Sequence, residues 1–134
     1  LALSQYRRGA HVIYAAAGIT GDGVFAEAVA RRQSGAQCWV IGVDSDQYEL
    51  GTYAPGKSAT LTSCVKRTDV AAHLLARSID IPMAEWGRSV NLGVFEGGIG
   101  LPFRTPNLVP EIASSIAGFE RRIYEGKLVV APGL

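Results

Sequence analysis

Between Gly9 and Gln47 the hydrophobic period of the chain changes twice, and this narrows the available folds more than any other feature. Residues 11–17 (HVIYAAA) are a short apolar run with β-branched and aromatic members, bounded by Gly9 and Gly18, which predicts a buried parallel strand. From 21 to 33 the spacing becomes helical. Val24, Phe25, Ala28, Val29 and Arg32 share one face, and Ser34 with Gly35 supplies the stop, so a helix follows the strand. Residues 37–43 (QCWVIGV) form a second buried strand that runs into the polar stretch Asp44 to Gln47. Strand, helix and strand within about thirty residues make one right-handed βαβ unit.

The remaining elements follow the same tests. After a loop through Pro55 and Gly56, residues 58–65 (SATLTSCV) read as a third strand. Val70, Ala71, Leu74, Leu75 and Ile79 stripe a second helix, with Asp80 and Pro82 as its stop. Residues 89–95 (SVNLGVF) alternate at Val90, Leu92 and Val94, which predicts a fourth strand; 96–107 are loop by their glycines and prolines. Val109, Ile112, Ile116, Phe119 and Ile123 step by three and four, giving the most regular amphipathic helix, with Pro110 tolerated in its first turn. Residues 127–130 (KLVV) add a short final strand. The expected class is α/β with a mainly parallel sheet. A length of 134 residues suffices for one compact domain with a core and leaves no room for a complete second one.

Charge and cysteine usage exclude several functions. Thirteen basic residues against twelve acidic ones leave a net charge of +1, and no basic cluster exceeds a pair such as Arg7 and Arg8 or Arg121 and Arg122. A nucleic-acid partner requires a concentrated basic face, so none is expected. The longest apolar stretch, 10–19, falls short of the ~18 residues a membrane span needs. Cys38 and Cys64 lack metal-site spacing and sit in apolar runs; they are expected to be buried free thiols, with a disulfide left open. His11 and His73 fall at a strand start and in a helix, away from any nucleophile with an orienting group, so no catalytic constellation is expected.

In open parallel sheets ligands bind beyond the carboxyl ends of the strands, where loops converge and helix N-termini present N–H groups. Two such ends are marked here, residues 16–23 (AAGITGDG) and 42–47 (GVDSDQ). Gly18, Gly21 and Gly23 permit a sharp turn and close approach of a ligand, or serve turn geometry and packing alone. Asp44 closes a buried strand, where its carboxylate can accept hydrogen bonds from vicinal hydroxyls; the alternative is a turn cap, a role that suits Asp46 better. Asp44 also lies about twenty residues past the glycines, as the ribose-binding acid of a dinucleotide site does. The glycines run G-x-x-G-x-G, the reverse of that fingerprint, and no Lys-Ser/Thr follows them as a P-loop demands.

The segments GAHVIYAAAGITGDGVF, WVIGVDSDQY, LTSCVKRTDVA, EGGIGL and NLVPEI occur in this order along nearly the whole chain. Together they resemble the C-terminal half of the basic membrane protein family, the purine nucleoside receptor type of substrate-binding lipoprotein. The resemblance implies a type I periplasmic-binding-protein-like fold, three-layer αβα with a mainly parallel sheet. It implies no enzymatic activity and no cofactor, but delivery of a purine nucleoside or similar riboside to an ABC transporter permease. Such a protein is extracytoplasmic, in the periplasm or held at the outer face of the cell membrane through a lipid anchor only. Residues 1–62 and about 96–134 would belong to the C-terminal lobe, and about 66–95 to the N-terminal lobe. Asp44 would hold ribose hydroxyls; Tyr14, Ala16, Ala17 and Gly18 would line the base pocket, Tyr14 stacking or else packing in the core; Lys66, Gly97 and Gly98 would edge the cleft.

The sequence departs from the family at Ile19, where Gly is common, at Cys64, where Met is common, and in GLPFRTPN. Nothing here corresponds to the family's first-lobe, base-recognising segment, and the chain opens on Leu1 without initiator methionine, signal peptide or lipobox cysteine. It is therefore expected to be the C-terminal portion of a longer protein, and self-association to cover a cut sheet edge stays open. Two other readings remain beside the carrier: an NAD(P)-binding Rossmann-like enzyme domain, and a family member acting as a regulator or sensor.

Overall fold

A computed structural model of the chain describes residues 1–80, 87 and 89–131. They divide into two compact units, Leu1–Val65 with Leu101–Val109, and Lys66–Gly100 with Pro110–Leu134. Pro82, expected to stop the second helix, lies outside the described residues.

The first unit is the βαβ unit with additions. Helix α1 (Ala2–Arg7) leads into strand β1 (Val12–Tyr14), a 3₁₀ turn at Gly18–Gly21, helix α2 (Asp22–Gln33) and strand β2 (Trp39–Asp44). A small antiparallel hairpin, β3 (Thr52–Ala54) and β4 (Lys57–Ser58), precedes β5 (Thr60–Lys66). Strands β1, β2 and β5 are parallel, with Val12 beside Trp39, Tyr14 beside Ile41, and Asp44 beside Val65. The register slips between Val40 and Ile41.

Why α2 occupies these residues is visible at its ends. Asp22 in the first turn and Arg31 and Arg32 in the last complement the helix dipole. At the far end Gly35 takes φ +88, its N–H reaching the Arg32 carbonyl and that of Ala36 the Arg31 carbonyl. This left-handed glycine closure supplies donors to carbonyls of the last turn, where the Ser34 hydroxyl also donates to the Arg31 carbonyl at 2.8 Å. Its inner face places Phe25 and Ala28 into a core with Tyr6, Cys38, Val40 and Ala59. The absence of a side chain beyond Cβ at Ala28 lets helix and sheet approach closely, and burying Phe25 contributes roughly 1.5–3 kcal/mol. Further along the same face Arg32 lies 4.2 Å over the Trp39 ring and donates to Gln37 Oε1 at 2.8 Å and to the Tyr53 hydroxyl at 3.1 Å.

The strand expected at 11–17 is shorter and less buried than its composition implies. Only Val12–Tyr14 pair as β1, and of these only Ile13 turns toward the core, while Val12 and Tyr14 are exposed. A covering layer on one face satisfies alternate residues only, because successive side chains point to opposite faces. Cys38 is buried as expected, whereas Cys64 is only partly so; both are free thiols.

In the second unit α3 (Thr68–Arg77) continues into a 3₁₀ turn, Ser78–Asp80, and α4 spans Pro110–Tyr124. Both helices form where their apolar periodicity places them, yet neither contains a buried residue. Leu75 and Ile79 are each 70 % exposed. Residues 89–95, expected as a fourth strand, do not form one. The Gly93 N–H donates to Glu96 Oε2 at 2.7 Å, and the Gly97 and Gly98 N–H groups reach the Val94 and Gly93 carbonyls. Backbone groups committed to a turn cannot pair in a ladder, and alternation specifies a strand only beside a partner. A two-residue strand, β6 (Ile99–Gly100), appears instead within the segment expected to be all loop. Phe95 stacks on Tyr124 with ring centroids 4.9 Å apart. The expected strand at 127–130 is also absent, since Lys127 and Leu128 donate to the Arg122 carbonyl and close α4. Among the described residues no helix is long and apolar enough to cross a membrane.

Candidate functional site

Strands β1 and β2 both end in one-residue reversals at the same edge of the sheet. The Ala17 N–H bonds to the Ala15 carbonyl at 2.8 Å, turning the chain at Ala16, and the Ser45 N–H bonds to the Val43 carbonyl at 2.8 Å, turning it at Asp44. Asp44 has φ +70, the one non-glycine residue described with positive φ. A three-residue turn with a positive central φ is the rarer, strained form, and such strain concentrates where a side chain must be presented in a fixed direction. The Asp44 side chain is exposed.

Behind Asp44 the loop is tied down by side chains. Gln47 Oε1 accepts the Val43 N–H at 2.8 Å, and the Gln47 N–H donates to Ser63 Oγ at 3.0 Å. Thr60 Oγ1 donates to the Gln47 carbonyl at 3.0 Å and Ser58 Oγ to the Tyr48 carbonyl at 2.7 Å. Ser58, Thr60 and Ser63 are all fully buried. Gly42 completes the block, since a Cβ there would stand 2.5 Å from Gln47 Oε1 and 2.8 Å from Ser63 Oγ. Asp46 takes the turn role expected of it, its Oδ1 accepting the Tyr48 N–H at 3.1 Å.

Tyr14, at the end of β1, is 55 % exposed, and Ala16, Ala17 and Gly18 follow it as an exposed segment. Tyr14, this segment and Asp44 thus share the carboxyl edge of two neighbouring strands. Of the three glycines in the first loop, Gly18 has φ +50, Gly21 is buried with room for a Cβ only 3.3 Å from the Ala15 carbonyl, and Gly23 faces open space. Turn geometry and packing account for the first two.

Lys66, Gly97 and Gly98 belong to the second unit. Lys66 ends β5 and is exposed. Gly97 has φ +68, and the Gly98 carbonyl accepts the Arg67 N–H at 2.8 Å, which joins the segment after Lys66 to the glycine turn. Arg67 grips Asp69 through two hydrogen bonds, 2.9 and 2.7 Å. The hydrogen-bonded guanidinium holds the Asp69 carboxyl down at about 2.

Sequence reasoning did not single out Gln47, Ser63 or Asn107. Asn107 Nδ2 donates to the Ser58 and Thr60 carbonyls at 3.1 and 2.7 Å, and so supports the strand from which the loop is held. The signal for Gln47 was its place directly after the turn aspartate Asp46; nothing local marks Asn107, whose partners lie 49 and 47 positions away.

Parallel strands ending in polar, ligand-accessible loops are the site architecture of α/β binding domains. The model of the Bmp family, PnrA-like ABC transporter substrate-binding proteins, matches residues 1–132, and the chain belongs to that family. It is 35 % identical to a CD4+ T-cell-stimulating antigen of Listeria monocytogenes, over 97 % of this chain and 38 % of that protein. It is 33 % identical to the ABC transporter nucleoside-binding protein BmpA of Lactococcus lactis, with the same coverage of each. Basic membrane protein D of Borreliella burgdorferi is 35 % identical over 75 % of this chain and 27 % of its own length. The chain thus spans 38 % of the length of the first two relatives. The fold matches that of an ABC transporter solute-binding protein from Aeropyrum pernix, with a TM-score of 0.73 at 22 % identity, covering 99 % of this chain and 44 % of that one. The fold is accordingly type I periplasmic-binding-protein-like, mixed α/β with a mainly parallel sheet.

Proposed function

We propose that the protein is an extracytoplasmic solute-binding component of an ABC importer that takes up a purine nucleoside or a similar riboside. The observation that carries this reading is Asp44, an exposed carboxylate presented from a strained turn at the end of a central strand and backed by a buried hydrogen-bond block. A carboxylate so fixed accepts hydrogen bonds from the two vicinal hydroxyls of a ribose, each charge-assisted and therefore among the stronger kind. Tyr14 supplies a ring face for the base, Ala16, Ala17 and Gly18 line the same side, and Lys66, Gly97 and Gly98 edge the cleft. In this reading 1–62 belong to one lobe and 66–95 to the other, closure over the ligand is what the permease senses, and a lipid anchor holds the protein at the membrane.

Less supports a dinucleotide. Asp22 occupies the first turn of α2, where its charge opposes a pyrophosphate on that helix N-terminus, and Gly23 faces open space. A thermal-shift series on the full-length protein with purine and pyrimidine nucleosides, ribose and NAD tests the choice. Stabilisation by purine nucleosides alone supports the reading, while stabilisation by NAD alone overturns it.

A further inference from the structure

We propose that Gln47 is the positioning residue for Asp44, holding the carboxylate in the geometry that distinguishes a ribose from its deoxygenated analogue. The inference rests on the riboside reading and assigns the discrimination to a side chain that itself touches no ligand.

The case begins with the cost of the turn. A non-glycine residue at φ +70 occupies a sparsely populated region, which persists only when its surroundings over-determine it. Asp44 is held on both sides. On the strand side, the Val43 carbonyl accepts the Ser45 N–H, while the Val43 N–H is taken by Gln47 Oε1 at 2.8 Å. On the loop side, the main chain of Gln47 is fixed at both polar groups, its N–H on Ser63 Oγ and its carbonyl on Thr60 Oγ1. Beside the pairing of β2 with β5, Gln47 thus adds a link from the Val43 N–H to the buried floor of β5, by side chain at one end and main chain at the other. Gly42 leaves the space this side chain fills.

Without the Gln47 acceptor, the Val43 N–H loses its partner and the turn relaxes toward ordinary φ values, moving the Asp44 carboxylate. Discrimination by a fixed carboxylate depends on simultaneous alignment with two hydroxyls, so it is lost before general binding is.

The experiment measures, by calorimetry on the full-length protein, the ratio of affinities for inosine and 2′,3′-dideoxyinosine. The wild type is expected to prefer inosine, by about tenfold or more if two charge-assisted bonds are made. Gln47→Met, matched in length but without an acceptor, is expected to bring the ratio near one. Gln47→Glu, which keeps an oxygen for the Val43 N–H, retains most of it. A lesion that merely loosens the fold weakens both ligands alike and leaves the ratio unchanged. Should Gln47→Met fail to fold, Ser63→Ala, which removes the acceptor for the Gln47 N–H, is expected to reduce the ratio in the same direction. A folded Gln47→Met or Ser63→Ala with the wild-type ratio overturns the inference, as does a Gln47→Glu that loses it like Gln47→Met. A wild type with no preference for inosine instead overturns the riboside reading beneath it.

Discussion

The amide of Asn107 donates to two carbonyls at once, those of Ser58 and Thr60, and so joins the end of the 101–109 segment to the start of β5. Both acceptors belong to residues that are fully buried and that in turn hold the Asp44 loop. Replacing Asn107 with Ala leaves these carbonyls short of a donor, at a cost of about 1–3 kcal/mol. Asn107→Asp is expected to be worse, since it brings an acceptor and a charge against two carbonyls. Urea unfolding checks both; a midpoint unchanged in either variant contradicts this role.

Tyr6 ties α1 to the sheet in a similar way, its hydroxyl donating to the Trp39 carbonyl at 2.9 Å. Burial disfavours the phenolate and pushes the Tyr6 hydroxyl up beyond its ordinary value. The folded form therefore keeps the proton at alkaline pH when the unfolded chain has lost it. Stability is unaffected below about pH 10 and falls as pH rises through the unfolded value. Tyr6→Phe is expected to lose about 0.5–1.5 kcal/mol at neutral pH and to show a shallower alkaline decline than the wild type. An identical alkaline slope in the two proteins sinks this account.

The two thiols differ in access. Burial pushes the Cys38 thiol up, and its Sγ lies 3.8 Å from the Ala28 carbonyl, whereas Cys64 is partly exposed. Since the thiolate is the reactive form, a disulfide reagent at pH 8 is expected to modify one thiol quickly and the other only on unfolding. Cys64→Ser should remove the fast phase; loss of the slow phase instead would reverse the assignment.

Gly42 is predicted to be intolerant of even a methyl group. In Gly42→Ala the new Cβ meets Gln47 Oε1 and Ser63 Oγ inside van der Waals contact, and relief requires breaking one of the bonds that hold the loop. The expected cost is about 1–3 kcal/mol, read as a lower melting temperature, together with weaker ligand binding. Wild-type stability in this variant would show that the block yields freely.

The βαβ unit was legible because its signals are local. The helical stripe from Val24 to Val29, the stop at Gly35 and the apolar run into Asp44 each depend on neighbours a few positions away. Legibility failed where the outcome depends on distant partners. Val90, Leu92 and Val94 alternate as a strand does, but the Glu96 carboxylate captures the Gly93 N–H and turns the chain. The stripes of α3 and α4 correctly placed two helices yet said nothing about burial, which depends on what packs against them. At the candidate site, residue type and position pointed to Asp44, whereas its positive φ and the hold of Gln47, Ser63 and Asn107 on the loop arise from contacts across the fold.

The central claim is that Asp44 grips the hydroxyls of a riboside, and calorimetric titration of the full-length protein with inosine, wild type against Asp44→Ala, tests it most directly. Loss of hydrogen bonds to a charged acceptor predicts a folded variant that binds at least about tenfold more weakly. An Asp44→Ala protein that binds inosine as the wild type does would contradict the claim.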